Sequence, residues 1–415
     1  MRHLRFVDLF AGIGGFHQAL GPEGLGMECV FASEIDLAAA DVYEWNHGRR
    51  PAGDIRPLTE DGVMAVPEHD VLAAGFPCQP FSKSGFQRGF AETRGTLFFN
   101  ICSILEARKP QYVVLENVRN LAGPRQRETW ATIVRSLRDL GYRVSSTPAV
   151  FSPHLLPPEM GGAPQVRERV FVLGEYVGRA MATAQDPAPL LRPVPVEGWD
   201  PRSWDLQRHL PVEPSTAVGP AYALRPDERR WIETWNELLA VLDEERLPGF
   251  PVWVDSFTDV LHVPPGTPAW KRNFLVKNHD LYMRNRGTID EWLDRHDGLR
   301  AFPASRRKLE WQAQDGDRDL WRHVLHFRPS GIRVKQATYA PALVAITQTS
   351  VLGPQQRRLT PREAARLQGL PDTFRLHPKD SVAYKQLGNG VNVGVVKHAV
   401  STLMGHSAAR RAEAG

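Results

Sequence analysis

Cysteine is scarce in this 415-residue chain, which contains only Cys29, Cys78 and Cys102. So few thiols, scattered along the sequence, exclude the disulfide framework of a small secreted protein and are typical of a reducing compartment. Long apolar runs are also missing, since the stretch 340–346 is far shorter than the roughly 18 residues that a membrane span requires. We therefore expect a cytoplasmic protein with no membrane segment.

Extremes of composition are absent as well. Hydrophobic residues make up 42% of the chain and charged residues 24%, which is typical of globular domains and argues against disorder or a coiled coil. The net charge of +4 permits an anionic partner without demonstrating one. No metal site is predicted.

The first part of the chain alternates short apolar strands with helices. This order is typical of an α/β protein with a doubly wound, mostly parallel sheet. Helices are expected at 35–46, 97–107 and 130–140. Strands are expected at 4–9, 29–32, 53–55, 71–74 and 112–115.

A proline-rich stretch at 184–201 marks a change in composition, and the α/β character returns after residue 359. We therefore expect an α/β domain over 1–174 that is interrupted by a smaller inserted domain over 175–350. The segment 351–405 is expected to return to the first domain, and 406–415 is expected to be a tail.

Each predicted strand is followed either by a reactive side chain or by glycines that let a ligand approach the backbone. These features are a glycine turn after the first strand and then Glu34, Asp54, Cys78 and Glu116. Because ligands of open parallel sheets bind beyond the carboxyl ends of the strands, these residues are predicted to converge on one crevice.

The glycine turn and the two acids that follow indicate a nucleoside-containing cofactor. A turn at Gly12 lets the backbone approach a ligand closely, but His17 stands where a dinucleotide fingerprint would have its third glycine. A tight turn with close helix packing is the alternative interpretation. Glu34 suits hydrogen bonds to ribose hydroxyls. Asp54 can accept from an adenine amino group or merely cap a turn.

Cys78 is the sharpest local feature, because flanking prolines restrict its backbone. A free thiol has a pKa of about 8.5 and must be activated to attack at neutral pH. A lone cysteine is more often buried and inert, but the polar, glycine-rich loop that follows argues against this. Lys83, Arg88 and Arg94 in that loop can close over an anionic substrate.

Glu116 and a pair of arginines complete the candidate chemistry. Burial at a strand end can raise the pKa of a glutamate above its reference of about 4.3 and make it a proton donor; a solvated turn glutamate is the alternative. Gln165, Arg167 and Arg169 alternate along a predicted strand and therefore share one face. Two arginines on that face require an anion, unless the face is exposed and salt-bridged.

These residues lie in motifs that resemble the DNA cytosine-5 methyltransferases of bacterial restriction–modification systems. The motifs include Gly75-Phe-Pro-Cys-Gln-Pro-Phe-Ser82, Glu116-Asn-Val118 and Gln165-Val-Arg-Glu-Arg169, and they occur in the family's order. Together they cover residues 1–174 and 355–400. The full set comprises 6–15, 34, 53–55, 75–82, 94–99, 116–118, 165–169, 358–368 and 386–392.

The resemblance implies S-adenosylmethionine as the methyl donor. This chain departs from the family at Gly390, where many members have serine, and at Ile35, where some have tryptophan; both differences affect cofactor packing. The donor is expected to contact Phe10, Gly12, Ile13, Gly15, Glu34, Ile35, Asp54, Ile55, Pro77, Leu97, Asn389 and Gly390.

The resemblance also implies a covalent mechanism. Cys78 attacks carbon 6 of cytosine, Glu116 protonates ring nitrogen 3, and Arg167 donates to the ring carbonyl, with Arg169 as a further catalytic residue. The base must first leave the stack. The loop 80–95 is expected to close over it, with Ser84 filling the gap and Arg88 contacting DNA.

The insert lies where this family keeps its target-recognition domain, so double-stranded DNA is the expected partner. A basic run interleaved with aromatic residues is the candidate for phosphate and base contacts, although a solvated face is equally compatible with it. The candidate DNA-binding residues of the run are Lys271, Arg272, Lys277, Arg284 and Arg286.

A monomer and a companion restriction endonuclease are also expected. An RNA cytosine-5 methyltransferase and a nicotinamide-dependent oxidoreductase are the alternative functions.

Overall fold

The computed structural model describes residues 3–60, 62–77, 97–213, 218–242, 247–314, 316–345 and 350–414. The chain forms two compact units. The first comprises Met1–Ser203, Ala342–Thr347 and Ala364–Gly415, and the second comprises Trp204–Pro341 and Gln348–Glu363. Among the described residues, no helix combines the length and the apolar character that a membrane crossing requires.

Strands occur in both units. They are β1 Arg5–Leu9, β2 Glu28–Ser33, β3 Val71–Gly75, β4 Tyr112–Val118, β5 Tyr142–Arg143, β6 Ala149–Phe151, β7 Gln165–Val166, β8 Arg169–Tyr176, β9 Val252–Trp253, β10 Lys308–Trp311, β11 His323–Arg328, β12 Gly331–Gln336, β13 Ala340–Pro341, β14 Val351–Leu352 and β15 Arg357–Arg358.

The α-helices are interspersed with single turns of 3₁₀ helix. They are α1 Gly15–Leu20, α2 Leu37–His47, α3 Leu97–Arg108, α4 Arg127–Asp139, α5 Arg179–Ala184, α6 Leu206–His209, α7 Pro226–Val241, α8 Ala269–Arg284, α9 Arg286–Arg295, α10 Pro361–Leu367, α11 Asp380–Asn389 and α12 Val393–Ala414.

A seven-stranded sheet organises the first unit. Strands β2, β1, β3 and β4 lie side by side and run parallel. Strand β8 pairs antiparallel with β4, and both β5 and β6 pair antiparallel with β8. The predicted α/β fold is confirmed, with a mixed sheet in which the parallel half carries the predicted crevice.

Helices cover both faces of this sheet. On one face, Leu72 and Val113 pack in a core with Ile101 of α3 and Ile133 of α4. On the other face, Phe6 meets the ring of His17 edge-on at 5.5 Å, and α12 packs against α1 and β8. Burial on both faces explains why the central strands are apolar throughout.

The predicted strand at 53–55 does not form. Gly53 has a φ of 77°, and one turn of 3₁₀ helix, Arg56–Leu58, follows Ile55. Prolines at 51 and 57 have no amide hydrogen to donate to a strand ladder. The Ala52 amide nevertheless donates to the Ala32 carbonyl over 2.8 Å, so the segment still passes the end of β2.

The two compact units divide the chain at positions other than the expected limits of 174 and 350. The proline-rich stretch belongs to the first unit, because Asp186 accepts from the Ser146 amide at 2.8 Å and the Trp199 indole donates to the His154 carbonyl at 3.0 Å. Residues 351–363 belong to the second unit.

The predicted tail at 406–415 is instead part of a helix, because α12 continues to Ala414. Ser407 is buried there and accepts from Tyr112 at 3.2 Å and from Arg411 at 2.7 Å. These contacts hold the end of α12 against the sheet.

The second unit is built on a six-stranded sheet in the order β15-β14-β11-β12-β10-β9. Its core is rich in tryptophan, and the two most deeply buried indoles satisfy their N–H groups on backbone carbonyls. Trp235 donates to Arg306 at 2.8 Å, and Trp292 donates to Thr234 at 3.0 Å.

Candidate functional site

A cavity of about 900 Å³ lies at the carboxyl ends of the parallel strands. Every residue that the sequence analysis assigned to the methyl donor lines this cavity, and so do Glu116 and Arg169. The predicted convergence on one crevice is therefore observed for the glycine turn, Glu34, Asp54 and Glu116, whereas Cys78 falls outside the residues that the structure describes. The volume falls within the range of about 300–1,000 Å³ that is typical of small-molecule sites.

Glu34 fixes the backbone on two sides of the cavity. The pairing of Leu9 with Ser33 brings the end of β2 beside the glycine turn. One Glu34 oxygen accepts from the Gly12 amide at 2.8 Å, and the other accepts from the Asp36 amide at 2.7 Å. The carboxylate thus braces both the glycine turn and the approach to α2.

The glycine turn packs on a pair of histidines. Gly14 has a φ of 93°, and a Cβ atom there would collide with Nε2 of His47, whose ring stacks on that of His17 at 4.0 Å. Burial lowers the pKa of His17 to about 3 and that of His47 to about 4, so both rings are neutral at pH 7. Gly12 has a φ of 56°, and a Cβ there would meet only open space.

Asp54 lines the cavity beside Arg56. The Arg56 Nε lies 2.9 Å and 3.1 Å from the two carboxylate oxygens of Asp54. Hydrogen bonds from Arg56 lower the pKa of Asp54, so the acid is ionised and acts as an acceptor at neutral pH.

Glu116 lies in the wall of the same cavity near the end of β4, where it pairs with Gly75 of β3. The residue is only 7% exposed. Burial raises the pKa of its carboxyl, while the positive charges of Arg169 and Arg167 oppose this rise. Arg169 contributes a close contact, with Nε 3.0 Å from a Glu116 oxygen.

Arg167 lies outside the cavity wall. The predicted continuous strand is interrupted here, because β7 ends at Val166 and the Arg167 amide donates to the Ser152 hydroxyl at 2.9 Å. Arg167 is only 1% exposed and its guanidinium donates to three backbone carbonyls, so the structure does not support its predicted contact with a substrate. These acceptors are Leu343 at 2.7 Å, Gly388 at 2.8 Å and Gly390 at 2.7 Å.

Asn117 fixes the backbone that leads to Cys78. Its side-chain nitrogen donates to the Phe76 carbonyl at 2.8 Å, and its side-chain oxygen accepts from the Val118 amide at the same distance. Pro77 lines the cavity directly before Cys78 in the sequence. The predicted residues Cys78, Ser84 and Arg88 lie outside the described part of the chain.

Helix α11 forms one side of the cavity and contributes residues that the sequence analysis did not assign, besides the predicted Asn389. Val382, Lys385 and Gln386 line the cavity there, and Lys385 Nζ lies 3.5 Å from a carboxylate oxygen of Asp36. Gln386 begins the motif 386–392, so its position in the sequence could have indicated that the preceding residues Val382 and Lys385 also face the cavity.

The predicted DNA-binding residues differ in their surroundings. Lys271 and Arg272 are exposed in the first turns of α8. Arg286 is held by acids, with contacts of 2.7 Å to Asp259 and 3.5 Å to Asp290. Of the two other candidates, Lys277 lies 5.7 Å from the ring centre of Phe250, and Arg284 is exposed at the end of α8.

Comparisons with known proteins agree with the motifs. The sequence profile of the family described as C-5 cytosine-specific DNA methylase matches residues 4–196 and 274–404. The type II methyltransferase M.AluI of Cellulosimicrobium cellulans is 44% identical, over 95% of this chain and 90% of its own length. The type II methyltransferase M.HhaI of Haemophilus parahaemolyticus is 29% identical, over 95% and 92%.

Among solved structures, the S. pombe Dnmt2 methyltransferase has a similar fold. The TM-score is 0.51 at 18% sequence identity, and the alignment covers 97% of this chain and 98% of that chain. At this level of identity, the likeness concerns the fold alone.

Proposed function

This chain belongs to the C-5 cytosine-specific DNA methylase family, and we propose an assignment of its residues to methyl transfer from S-adenosylmethionine to carbon 5 of a flipped-out cytosine. The observation that carries the assignment is the single cavity lined both by Glu34 and Asp54 and by Glu116 and Arg169. The family match favours this function over the nicotinamide-dependent oxidoreductase.

The described residues fit the methyl donor. S-adenosylmethionine, when bound, supplies an electrophilic methyl group. Each carboxylate oxygen has two acceptor sites, so Glu34 can accept from ribose hydroxyls while it still holds the Gly12 and Asp36 amides. Ionised Asp54 can accept from an adenine amino group. The open space beside Gly12 allows close approach of a ligand to the backbone.

Cys78 is the proposed nucleophile. Its thiolate forms a bond to carbon 6 of cytosine, and the ring electrons move to make carbon 5 nucleophilic. Carbon 5 then forms a bond to the methyl group while the bond from that methyl to the donor's sulfur breaks, and the donor leaves as a thioether. A base removes the carbon 5 proton, the electrons of that C–H bond expel the Cys78 thiolate, and ring nitrogen 3 gives up the proton that it had received, which restores the aromatic ring.

Glu116 is the proposed proton donor to ring nitrogen 3. Protonation there neutralises the negative charge that thiolate attack places on the ring. The raised pKa of Glu116 makes this transfer easier than it would be from a solvated glutamate. Arg169, which lies beside Glu116, is the proposed donor to the ring carbonyl in place of Arg167.

Arg167 and Asn117 are positioning residues in this scheme. Arg167 ties the backbone at Gly388 and Gly390 to the start of β8, and those glycines line the cavity. Asn117 holds Phe76, two residues before the proposed nucleophile.

The exposed first turns of α8 are the proposed site of sequence-reading contacts in double-stranded DNA. The major groove accommodates an α-helix, and lysine and arginine can contact guanine edges or phosphates there. Replacing Lys271 and Arg272 by alanine is expected to weaken DNA binding and lower its salt dependence. Arg286→Ala is the matched control, because its charge is already paired. Equal binding by all variants would contradict this assignment.

The names of the similar type II methyltransferases support a role in a restriction–modification system. We assign to this chain the protection of host DNA in the cytoplasm, as a monomer, against an endonuclease that cuts the same sequence. DNA from cells that express the protein should resist an endonuclease of matching specificity.

Bisulfite sequencing tests the proposed function and identifies its target. The chain is expressed in a host without cytosine-5 methylation, and DNA and RNA are both sequenced after bisulfite treatment. We expect protected cytosines at one short DNA sequence, and a far smaller protected fraction with the Glu116→Gln variant. Protected cytosines in RNA alone would favour the RNA methyltransferase alternative, and none in either nucleic acid would refute both.

A further inference from the structure

The second unit has basic side chains clustered on the sheet face opposite its hydrophobic core. We propose that this basic face, formed by Lys308, His326, Arg328, Arg333 and Lys335, binds backbone phosphates of double-stranded DNA. The inference rests on the proposed function, because it takes the substrate to be DNA. These residues come from three strands. Lys308 ends the basic run of Arg300, Arg306, Arg307 and Lys308, whereas the other four residues lie in no basic run of the sequence.

Strand register brings these side chains together. In the antiparallel pair of β11 and β12, His326 lies opposite Arg333, and Val324 lies opposite Lys335. In the parallel pair of β10 and β12, Glu310 lies beside Arg333. Because successive side chains point to opposite faces, these residues project away from the core. The residues that alternate with them belong to the core and include Leu325, Phe327, Ile332 and Val334.

The positive charge of the basic face is only partly balanced by Glu310. One oxygen of Glu310 lies 2.7 Å from Arg333 Nε and 3.8 Å from Arg328 Nη1. The Arg328 Nη1 atom is buried and makes no hydrogen bond with any described residue. A single carboxylate between two guanidinium groups leaves net positive charge.

Neighbouring groups on the basic face repel one another. Burial, and then Arg333 and Arg328, lower the pKa of Lys335. Burial, followed by Arg328, Arg333 and Lys335, lowers the pKa of His326. A protein that holds like charges together in this way gains stability when an anion binds among them. Phosphate groups of DNA provide such anions in a regular row.

The dimensions suit a row of phosphates. Gly331 is the residue of β12 that lies opposite Arg328. Lys335 is four residues further along β12, which corresponds to about 13 Å of strand. Successive phosphates of one DNA strand lie further apart than their axial rise of about 3.4 Å, because the backbone winds around the axis, so the basic face can meet roughly two to three of them.

Aromatic contacts join the basic face to α8. Lys308 Nζ lies 5.2 Å from the ring centre of Trp253, and Trp253 meets Phe274 of α8 edge-on at 5.7 Å. Phe274 in turn meets the exposed Trp270 at 6.0 Å. Phosphate contacts on the sheet and base contacts from α8 therefore belong to one continuous surface of this unit.

Single substitutions that remove one charge test the basic face. Lys335→Gln and Arg328→Gln are compared with Arg295→Gln, a matched control at an exposed site on α9 of the same unit. Fluorescence anisotropy with a 30-base-pair duplex of random sequence is measured over a range of KCl concentrations. Each variant of the basic face is expected to lose several-fold in affinity and about one unit of salt slope, for any duplex sequence. The control should bind like the wild type.

Lysine labelling of the wild-type protein provides a test that needs no variant. Formaldehyde and borohydride methylate accessible lysines, and mass spectrometry measures the extent at each site. DNA is expected to slow labelling of Lys335 and Lys308, but not of Lys109, an exposed residue at the amino end of β4.

Two results would overturn the inference. They are wild-type affinity and salt slope in both folded variants, or equal labelling of Lys335 with and without DNA. If the wild type still places 5-methylcytosine in DNA, the proposed function survives this failure. Absence of 5-methylcytosine would instead refute the proposed function, whatever the variants bind.

Discussion

An oxygen of Glu116 lies 3.0 Å from Nε of Arg169, and both side chains line the cavity that holds the residues predicted to bind the methyl donor. Burial raises the pKa of the carboxyl, and the guanidinium limits that rise. The two groups can therefore act on different parts of one substrate. The Glu116 carboxyl can supply a proton, and the Arg169 guanidinium can donate a hydrogen bond to an oxygen.

Replacing Glu116 by glutamine is expected to lower the rate constant of methyl transfer by about 10²–10⁴-fold, because an amide cannot transfer the proton to ring nitrogen 3. The matched control is Glu168→Gln, which removes a carboxylate that contacts Arg119 at 2.7 Å and does not line the cavity. Single-turnover transfer of a radiolabelled methyl group measures both variants. Equal rates for Glu116→Gln and the wild type would contradict the assignment of the acid.

The pH dependence should change when Arg169 is removed. Because the folded pKa of Glu116 is raised, the proton needed for catalysis is present below that pKa and is lost as the pH rises through it. The same pKa shift affects folding. The folded protein loses stability as the pH rises from the Glu116 pKa of the unfolded chain to the Glu116 pKa of the folded protein. Arg169 lowers the Glu116 pKa, so Arg169→Ala should move the alkaline limb of the pH–rate profile to higher pH.

The rate profile from pH 5 to 10 tests this shift. Arg169→Ala is also expected to reduce the maximum rate, because a donor to the substrate is lost. An alkaline limb that stays in place or moves to lower pH would show that Arg169 does not interact with the group that titrates.

Arg167→Ala should act on stability rather than on chemistry. The substitution removes the donor of three buried carbonyls, each in a charge-assisted hydrogen bond. We expect a loss of at least about 3 kcal/mol in the free energy of unfolding, measured in urea. Arg169→Ala should cost less, because Arg169 lies in a cavity wall and donates to a single backbone carbonyl, that of Glu168 at 3.0 Å, besides its contact with Glu116. Wild-type stability of the Arg167→Ala variant would contradict the structural role.

The two glycines of the turn should respond differently to alanine. Gly14→Ala forces a side chain into a backbone with φ of 93° and into the His47 ring, so a loss of about 1–3 kcal/mol in unfolding free energy is expected. Gly12→Ala also meets a left-handed backbone, with φ of 56°, but its methyl group enters open space at the cavity wall, so cofactor affinity should fall with a smaller loss of stability than in Gly14→Ala.

Isothermal titration with S-adenosylmethionine and urea unfolding separate these two effects. If Gly12→Ala binds the cofactor as tightly as the wild type, the cavity beside this glycine does not hold the donor.

The crevice was predictable because parallel strands deliver their carboxyl ends to one edge. Asp54 reached that edge without the predicted strand, because the Ala52 amide bonds to the end of β2. The expectation that Arg167 and Arg169 share one face of a strand assumed an unbroken strand, but the strand ends at Val166 and the Arg167 amide donates to the Ser152 hydroxyl. A hydrogen bond between residues that are 15 positions apart cannot be predicted from the pattern of neighbouring residues.

Long-range pairing also explains what the sequence analysis did not find. The basic face depends on the register between His326 and Arg333, which spacing alone does not reveal. The end of α12 is rich in alanine and arginine, which resembles a solvated tail, yet Ser407 is buried there through contacts with Tyr112 and Arg411.

Trapping of the covalent intermediate tests the central claim most directly. A fluorine at carbon 5 of cytosine cannot leave as the proton does, so the enzyme should remain bonded to a substituted base after methyl transfer. Duplex DNA is prepared by amplification with 5-fluorodeoxycytidine triphosphate and incubated with the protein and S-adenosylmethionine. Mass spectrometry of the digested complex should place the nucleotide on the peptide that contains Cys78, and Cys78→Ser should give no adduct. Methylation of ordinary DNA by the wild type without any adduct at Cys78 would contradict the account.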